Sequence, residues 1–154
     1  MRFAIIGIGN IAPVHAAAIH AQADSQIVAV ATRNEERGRA FAAQHGGEWF
    51  ADYEELLKQA RPDVVAICAP HDLHLPMTVA AAQAGCHALC EKPMARTTRE
   101  CDAMIAACEA AGVKLGIAFQ GRFEPLSLKL KAGLDAGQLR GLLWARANTL
   151  WLRT

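Results

Sequence analysis

Short apolar runs alternate along this chain with longer segments in which apolar and polar residues are mixed. The apolar runs have the length and composition of strands buried in a parallel sheet. They lie at residues 3–6, 26–31, 49–50, 62–70, 86–93 and 113–119. Strands that alternate with helical segments predict an α/β protein, in which a doubly wound parallel sheet carries helices on both faces, the Rossmann fold.

Capping residues mark the ends of several helices between these strands. Asp52 stands where an N-cap is expected, and Glu55 occupies the capping-box position three residues later. Gly85 and Gly112 each follow a helical segment and predict its end. The helices therefore have defined limits, and each fits between two consecutive strands of the sheet.

The first strand leads into a segment that allows two opposite interpretations. A basic residue, an apolar stretch and a closing Ala-Gln-Ala are typical of a secretory signal with a small-residue cleavage site. Such a signal needs a continuous apolar region of roughly 7–15 residues, and here that region is interrupted. The interrupting residues are Gly7, Gly9, Asn10, Pro13 and His15. We therefore interpret the segment as a strand, a glycine turn and a helix.

The glycine turn fits the G-x-G-x-x-A pattern of dinucleotide-binding loops. In that pattern the first glycine makes the tight turn, the second lets backbone approach a pyrophosphate, and the small third residue lets the helix pack on the strand. These positions are Gly7, Gly9 and Ala12, with Asn10 and Ile11 before the alanine. A proline follows, which suits a first helical turn whose amides have no partner within the helix. The turn is therefore a candidate phosphate-binding loop.

The end of the second strand bears on which dinucleotide would bind. NAD-binding sheets carry an acidic residue about 20 positions past the loop, where it binds the ribose 2′-hydroxyl. Thr32 and Arg33 stand there instead, and Arg37 follows one helical turn later on the same predicted face. A hydroxyl and two guanidinium groups suit a 2′-phosphate, which favours NADP over NAD. Two alternatives stay open: Arg33 stacks on adenine in an enzyme that accepts both cofactors, or the arginines pair with Glu35 and Glu36.

Three further motifs follow the fourth, fifth and sixth predicted strands, at the edge where open α/β sheets bind ligands. They are Ala69-Pro70 followed by His74, Glu91-Lys92-Pro93, and Gln120-Gly121-Arg122-Phe123. Together with the glycine loop, these motifs resemble the Gfo/Idh/MocA family of sugar and polyol oxidoreductases over nearly the whole chain. The resemblance implies an NAD(P)-dependent dehydrogenase that acts on a sugar or polyol.

The resemblance places Lys92 beside the nicotinamide and the reacting substrate carbon, as the catalytic residue. Oxidation of a carbinol carbon needs a group that handles the hydroxyl proton, and a lysine amine supplies a donor and a positive charge there. A lysine that extends from a strand end into solvent is the alternative. The expected cofactor-binding residues are Gly7, Gly9, Asn10, Ile11, Thr32, Arg33, Arg37, Ala69, Pro70, His74, Glu91 and Lys92. Many relatives carry a larger residue at Gly121, a departure that leaves the part played by Arg122 open.

Composition argues against several other classes of function. The chain has 154 residues with 16 Lys and Arg against 15 Asp and Glu, a balance that speaks against nucleic acid or an anionic membrane as a partner. Its apolar runs are shorter than the roughly 18 residues of a membrane span. The five cysteines form no C-x-x-C pair, so we expect reduced thiols in a cytoplasmic protein.

The histidines do not predict a metal site. His71 and His74 form H-x-x-H, but no third ligand is evident in the sequence, so no metal is expected. We expect His74 to line the cofactor pocket or to cap the helix that follows. His15 and His20 lie on the first predicted helix, where structural roles are expected.

The last residues predict the beginning of a second domain. Residues 1–121 are assigned to the cofactor domain and residues 122–154 to the start of an α+β substrate domain, with one helix and one strand. The resemblance implies that most of that domain, with its catalytic histidine, is missing. A stand-alone dinucleotide-binding or regulatory module is therefore the alternative function. We expect the lone strand to pair with the same strand of a second copy in a homodimer, because an unpaired strand exposes backbone and apolar surface.

Overall fold

The computed structural model describes residues 1–138 and residue 146. The strands are β1 (Arg2–Ile6), β2 (Gln26–Ala31), β3 (Glu48–Phe50), β4 (Val64–Ile67), β5 (His87–Cys90) and β6 (Leu115–Ile117). The helices are α1 (Ala12–His20), α2 (Glu35–His45), α3 (Tyr53–Ala60), α4 (His74–Gln83), α5 (Thr98–Ala110) and α6 (Pro125–Asp135). The alternation of strands and helices predicted from the sequence is confirmed.

The strands form one sheet in the order β3-β2-β1-β4-β5-β6, and all neighbouring pairs are parallel. From β1 the chain builds outward through β2 and β3, and it then returns to add β4, β5 and β6 on the other side. This is the doubly wound order of the Rossmann fold, with its topological switch point between β1 and β4.

The two faces of the sheet bury separate apolar clusters because successive strand residues point to opposite sides. On one face Ala4 and Ile6 of β1 pack in a cluster with Leu56 from α3 and Met104 from α5. On the other face Ile5 packs in a cluster with residues of α1 and α2. Alanine-rich α1 places Ala12 and Ala16, both completely buried, against this second face. Helices therefore cover both faces, and function must reside at the edges and loops.

Several predicted helix ends are also observed. The side chain of Asp52 caps α3, because its Oδ1 accepts hydrogen bonds from the backbone amides of Glu54 and Glu55 at 2.6 and 3.3 Å. Gly85 and Gly112 have positive φ angles of 74° and 67° just past α4 and α5. Left-handed backbone of this kind ends a helix at low cost only where the residue is glycine.

The chain divides into two compact units, Met1–Ala118 and a second that begins at Phe119. In its described part, the second unit has a 3₁₀ turn over Gln120–Phe123 and the helix α6. The Arg122 guanidinium lies over the Phe119 ring at 5.7 Å. The assignment of residues 1–121 and 122–154 to two domains stays a prediction. The predicted C-terminal strand, and the homodimer expected from it, lie outside the described residues apart from Gln138 and Arg146.

Within the part of the chain that the structure describes, no helix combines the length and apolar character needed to cross a membrane.

Candidate functional site

The strands of the sheet end at a common level, which brings the residues after them together. The last residues of β2, β1, β4, β5 and β6 face one another in register: Ala31, Ile6, Ile67, Cys90 and Ile117. The residues after β1, β4 and β5 each donate a backbone hydrogen bond to the end of a neighbouring strand: Gly7 to Ala31 at 2.9 Å, Cys68 to Ile6 at 2.7 Å, and Glu91 to Ile67 at 3.0 Å. The sequence motifs at these strand ends therefore start from one edge.

The two glycines of the loop after β1 serve different needs. Gly7 has a φ of +87°, and a Cβ there would lie 2.6 Å from the carbonyl oxygen of Cys68. A side chain at Gly7 would therefore collide with the backbone after β4. Gly9 is exposed, and the nearest atom that a Cβ there would meet is the same oxygen at 3.9 Å. The fold thus needs glycine at position 7, whereas at position 9 glycine leaves open space over the backbone.

The loop passes directly into α1. Ile11 is the N-cap residue and makes no side-chain capping bond, and Pro13 stands in the first helical turn. The amide of Ala12 donates to the Gly9 carbonyl at 3.1 Å, which closes the loop tightly against the helix. The Val14 amide likewise donates to the Ile11 carbonyl at 3.0 Å, and Pro13 has no N–H. The start of α1 therefore offers an anion the positive end of the helix dipole, while its first-turn amides are already hydrogen-bonded.

A cleft of about 670 Å³ opens at this edge, between the ends of β1, β2 and β4. Five of the residues expected to bind cofactor line it: Gly7, Thr32, Arg33, Ala69 and Pro70. The cleft therefore lies at the switch point of the sheet, where open α/β folds bind nucleotides. Asp52 and Tyr53, at the start of α3, line the same cleft and were not expected from the sequence.

Arg37 occupies a different position from the one expected. Arg33 precedes the N-cap Asn34 of α2, so Arg33 and Arg37 do not share a helical face and that expectation is wrong. The Arg37 guanidinium donates to the Ile8 carbonyl at 3.2 Å and lines a second pocket, of about 330 Å³, together with Gly9 and Asn10. Glu35 pairs with Arg39 at 2.8 Å. Arg37 therefore supports the glycine loop, while Arg33 faces the cleft.

Trp49, which carried no functional expectation, holds the end of β2. Its indole Nε1 donates to the Thr32 carbonyl at 3.0 Å, and the Arg39 guanidinium lies 4.8 Å from its ring centroid. The ring fills the space in which a side chain at Gly38 would stand. The available sequence signal was an aromatic residue within the short strand β3, together with a glycine inside α2. Trp49 thereby fixes the backbone on which Thr32 and Arg33 stand.

His74 lies behind the cleft and is completely buried. Its Nε2 faces the Ala69 carbonyl at 3.0 Å, and its Nδ1 faces the carbonyls of Pro93 and Met94 at 3.0 and 3.3 Å. The N-cap of α4 is Leu73, with no side-chain cap bond, so the expectation that His74 caps this helix is wrong. Its complete burial also corrects the expectation that it lines the cofactor pocket. The ring instead ties the turn after β4 to the turn after β5.

The Glu91-Lys92-Pro93 turn stands at the same edge, after β5. The Lys92 side chain is exposed, and the Lys92–Pro93 peptide bond is cis. Glu91 accepts a hydrogen bond from His15 Nε2 at 2.8 Å, and its other oxygen accepts from the Lys92 amide at 3.1 Å. Sequence reasoning gave His15 only a structural role. The signal was its position three residues after the buried Ala12, because a polar residue at that spacing turns toward the sheet.

Two cysteines near this edge are buried and unreactive. Burial, together with the negative charge of Glu91, raises the pKa of the Cys68 thiol to about 12. Burial likewise raises the pKa of the Cys90 thiol to about 12. Because a thiol attacks as the thiolate, neither residue is a nucleophile near neutral pH.

Comparison with known families agrees with this geometry. The family model for Gfo/Idh/MocA proteins, described as an oxidoreductase family with an NAD-binding Rossmann fold, matches residues 1–119. The chain belongs to the Gfo/Idh/MocA oxidoreductase family. The family membership expected from the sequence motifs is thus confirmed, and the loop, the cleft and the Lys92 turn all lie within the matched residues.

Relatives in this Gfo/Idh/MocA family include sugar and polyol dehydrogenases. D-glucoside 3-dehydrogenase of Escherichia coli (strain K12) is 34% identical over 152 residues, which cover 97% of this chain and 43% of that protein. The scyllo-inositol 2-dehydrogenase (NADP(+)) IolU of Bacillus subtilis (strain 168) is 38% identical over 135 residues, covering 87% of this chain and 41% of that protein.

Solved structures show the same Gfo/Idh/MocA fold. The WlbA dehydrogenase from Bordetella pertussis, in complex with NADH and UDP-GlcNAcA, matches with a TM-score of 0.84 at 31% identity and covers 88% of this chain and 42% of that one. KijD10, a 3-ketoreductase from Actinomadura kijaniata with NADP and TDP-benzene, matches with a TM-score of 0.82 at 28% identity, covering 89% and 42%. The chain spans less than half of the length of each of these four relatives.

Proposed function

We propose that this chain supplies the NAD(P)-binding part of a sugar or polyol dehydrogenase. The observation that carries the proposal is the glycine loop at the switch point, where Gly7 lines the cleft of about 670 Å³ and the open backbone of Gly9 lines the second pocket of about 330 Å³. A dinucleotide needs backbone that can approach its pyrophosphate and a groove for its two nucleosides. The described residues fit both requirements.

Lys92 is the residue that we assign to the reacting centre. It is exposed at the edge onto which the cleft opens, and its turn is held by His15 through Glu91 and by His74 through the Pro93 and Met94 carbonyls. When bound, the nicotinamide supplies the hydride acceptor or donor. As the carbon is oxidised, a neutral Lys92 amine would accept the hydroxyl proton on Nζ, and the ammonium so formed would donate a hydrogen bond to the new carbonyl oxygen before the proton is released to solvent.

We infer a preference for NADP over NAD from the end of β2. Thr32 and Arg33 line the cleft where an NAD-binding sheet would present a carboxylate. Asp52 also lines the cleft, but its Oδ1 already accepts from the amides of Glu54 and Glu55. The exposed Arg33 guanidinium is thus the group suited to a 2′-phosphate. IolU, which is NADP-dependent by its name, shares 38% identity with this chain.

Calorimetric titration with NADH and NADPH tests the assignment. We expect both dinucleotides to bind, and we expect Gly9→Val to abolish binding at an unchanged melting temperature, because the new side chain occupies the open space over the loop. Ala17→Val, which introduces the same side chain at an exposed position of α1, is the matched control and should bind like the unchanged chain. If Gly9→Val binds NADH and NADPH with full affinity, the loop is a turn that binds no ligand.

A panel of sugars and polyols, assayed for reduced cofactor by absorbance, then tests turnover. Oxidation of one member, lost in Lys92→Met with dinucleotide affinity retained, supports the dehydrogenase. Dinucleotide binding without turnover of any member would instead favour a binding or regulatory module.

A further inference from the structure

Glu91 holds two partners from different parts of the chain. Its side chain is 13% exposed and that of His15 is 12% exposed, with 2.8 Å between His15 Nε2 and Glu91 Oε1. Its second oxygen, Oε2, accepts the backbone N–H of Lys92 at 3.1 Å. One carboxylate therefore links helix α1 to the backbone of the Lys92 turn.

The pair spans 76 residues of sequence and joins two functionally distinct loops. His15 lies on α1, four positions after the N-cap residue Ile11 that ends the glycine loop. Glu91 is the first residue after β5, anchored by its amide to Ile67 at 3.0 Å. A carboxylate withdrawn from solvent to this extent is costly unless its oxygens are hydrogen-bonded, so the geometry of the pair is strongly constrained.

The Lys92 turn depends on contacts of this kind because its own side chain is exposed. The backbone of residues 91–94 is held by Glu91 on one side and, through the carbonyls of Pro93 and Met94, by His74 on the other. A residue at a reaction centre must be held within a fraction of an ångström of its working position. For Lys92 that precision must come from the backbone.

We propose that His15 and Glu91 are a positioning pair that fixes the Lys92 turn relative to the glycine-loop helix, and so couples dinucleotide binding to the placement of Lys92. The coupling half of this inference rests on the proposed function, since it assumes that a dinucleotide binds at the loop. A dinucleotide held at the N-terminus of α1 then acts on Lys92 through two hydrogen bonds. A change in the placement of Lys92 then also alters the affinity for the dinucleotide, because coupling between two sites is reciprocal.

Selective ¹⁵N-lysine labelling gives a direct readout of the Lys92 backbone. The chain contains five lysines, so the spectrum has five backbone amide signals, and Lys92→Arg identifies the one from Lys92. An amide proton bonded to a carboxylate is strongly deshielded. We expect His15→Leu and Glu91→Gln each to move the Lys92 signal upfield and to leave the other four lysine signals in place. His15→Gln retains an Nε2 donor and should restore the signal toward its original position.

Titration with NADH provides the second readout. We expect His15→Leu to weaken NADH binding at least about 5-fold, the lower end of typical coupling between sites. The double variant with Glu91→Gln should lose little more, because both changes break the same link. His20→Leu removes an exposed histidine from the same helix and serves as the control, with both readouts unchanged.

The outcomes separate the two proposals. A Lys92 signal that stays in place in His15→Leu overturns the positioning pair, and a shifted signal with unchanged NADH affinity overturns the coupling. Failure of the unaltered chain to bind NADH overturns the proposed function and the coupling with it, while the amide signals still decide whether the pair holds Lys92. If His15→Leu does not fold, Glu91→Gln and its double variant with His15→Gln provide the same two readouts.

Discussion

Replacement of Gly7 by alanine is expected to destabilise the fold through a specific collision. At a φ of +87° any side chain is strained, and the new Cβ would lie 2.6 Å from the Cys68 oxygen, 2.8 Å from the Cys68 carbonyl carbon and 2.9 Å from the Ala69 nitrogen. All three atoms belong to backbone. The Cys68 amide donates a hydrogen bond to the Ile6 carbonyl at 2.7 Å. The end of β4 therefore cannot move away from Gly7 without breaking this hydrogen bond of the sheet.

The expected loss has two parts. Left-handed backbone costs a residue with a Cβ about 1–2 kcal/mol, and overpacking against well-ordered atoms typically adds about 1–3 kcal/mol. Gly7→Ala should therefore lower the free energy of unfolding by about 2–5 kcal/mol. Gly112 isolates the first part, because its φ is +67° and a Cβ there would meet nothing within 4 Å. Gly112→Ala should lose only about 1–2 kcal/mol.

Urea unfolding followed by circular dichroism measures both variants against the unaltered chain. At about 2–4 °C per kcal/mol, the difference between them should also appear as a lower melting temperature for Gly7→Ala. Equal losses in the two variants would refute the reasoning, because they would show that the contact with the Cys68 carbonyl contributes nothing. A Gly7→Ala variant as stable as the unaltered chain would refute the strained loop altogether.

Two further predictions concern the cleft and its surroundings. Arg33→Ala should weaken NADPH binding by about 1.5–3 kcal/mol, as expected for a lost charged hydrogen bond, and leave NADH binding unchanged. Arg37→Ala should weaken the binding of both cofactors, because Arg37 supports the Ile8 carbonyl. Calorimetry measures these affinities, and equal losses of NADPH and NADH binding in Arg33→Ala would exclude a 2′-phosphate contact. Folding raises the thiol pKa of Cys68 and Cys90 from 9.0 to about 12, so the unfolded chain loses these protons first as pH rises above 9. Stability present below pH 9 should therefore fall by about 3 kcal/mol for the two thiols by pH 10, as measured by urea unfolding under reducing conditions. If a variant with alanine at both Cys68 and Cys90 loses the same amount of stability as the pH rises to 10, that loss comes from other groups.

The sheet could be predicted from the sequence because its signals are local. Each strand is a short apolar run, and each observed cap, such as Asp52 or Gly112, acts on the helix beside it in sequence. The positions of Gly7 and Thr32 at the cleft could also be predicted, since each directly follows a strand. Parallel strands that end in register leave little freedom for the residues that come next.

The pairings across the site could not be predicted in this way. Arg33 and Arg37 were expected on one face because they are four residues apart, but the N-cap at Asn34 leaves Arg33 outside helix α2. His15 and Glu91 pair across 76 residues, and that contact depends on how α1 packs on the sheet. Such contacts follow from tertiary packing, which a spacing pattern does not contain. His74 was misplaced for the same reason, since its position after β4 suggested the cofactor pocket or a helix cap, and its burial depends on the turn after β5.

The common level at which the strands end also restricts how this gene can change in length. Inserting one residue into β1 or β4 near its carboxyl end would displace the following loop by about 3.3 Å and turn its side chains to the opposite face. An insertion in β1 would break the hydrogen bonds from Gly7 to Ala31 and from Cys68 to Ile6, and an insertion in β4 would break those from Cys68 to Ile6 and from Glu91 to Ile67. Deletions and insertions should accordingly accumulate at the opposite edge of the sheet, where helices return to strands, as around residues 22–25. Among related genes, insertions and deletions should therefore be rare at the ligand-binding edge, and their absence would mark where that edge lies in the sequence.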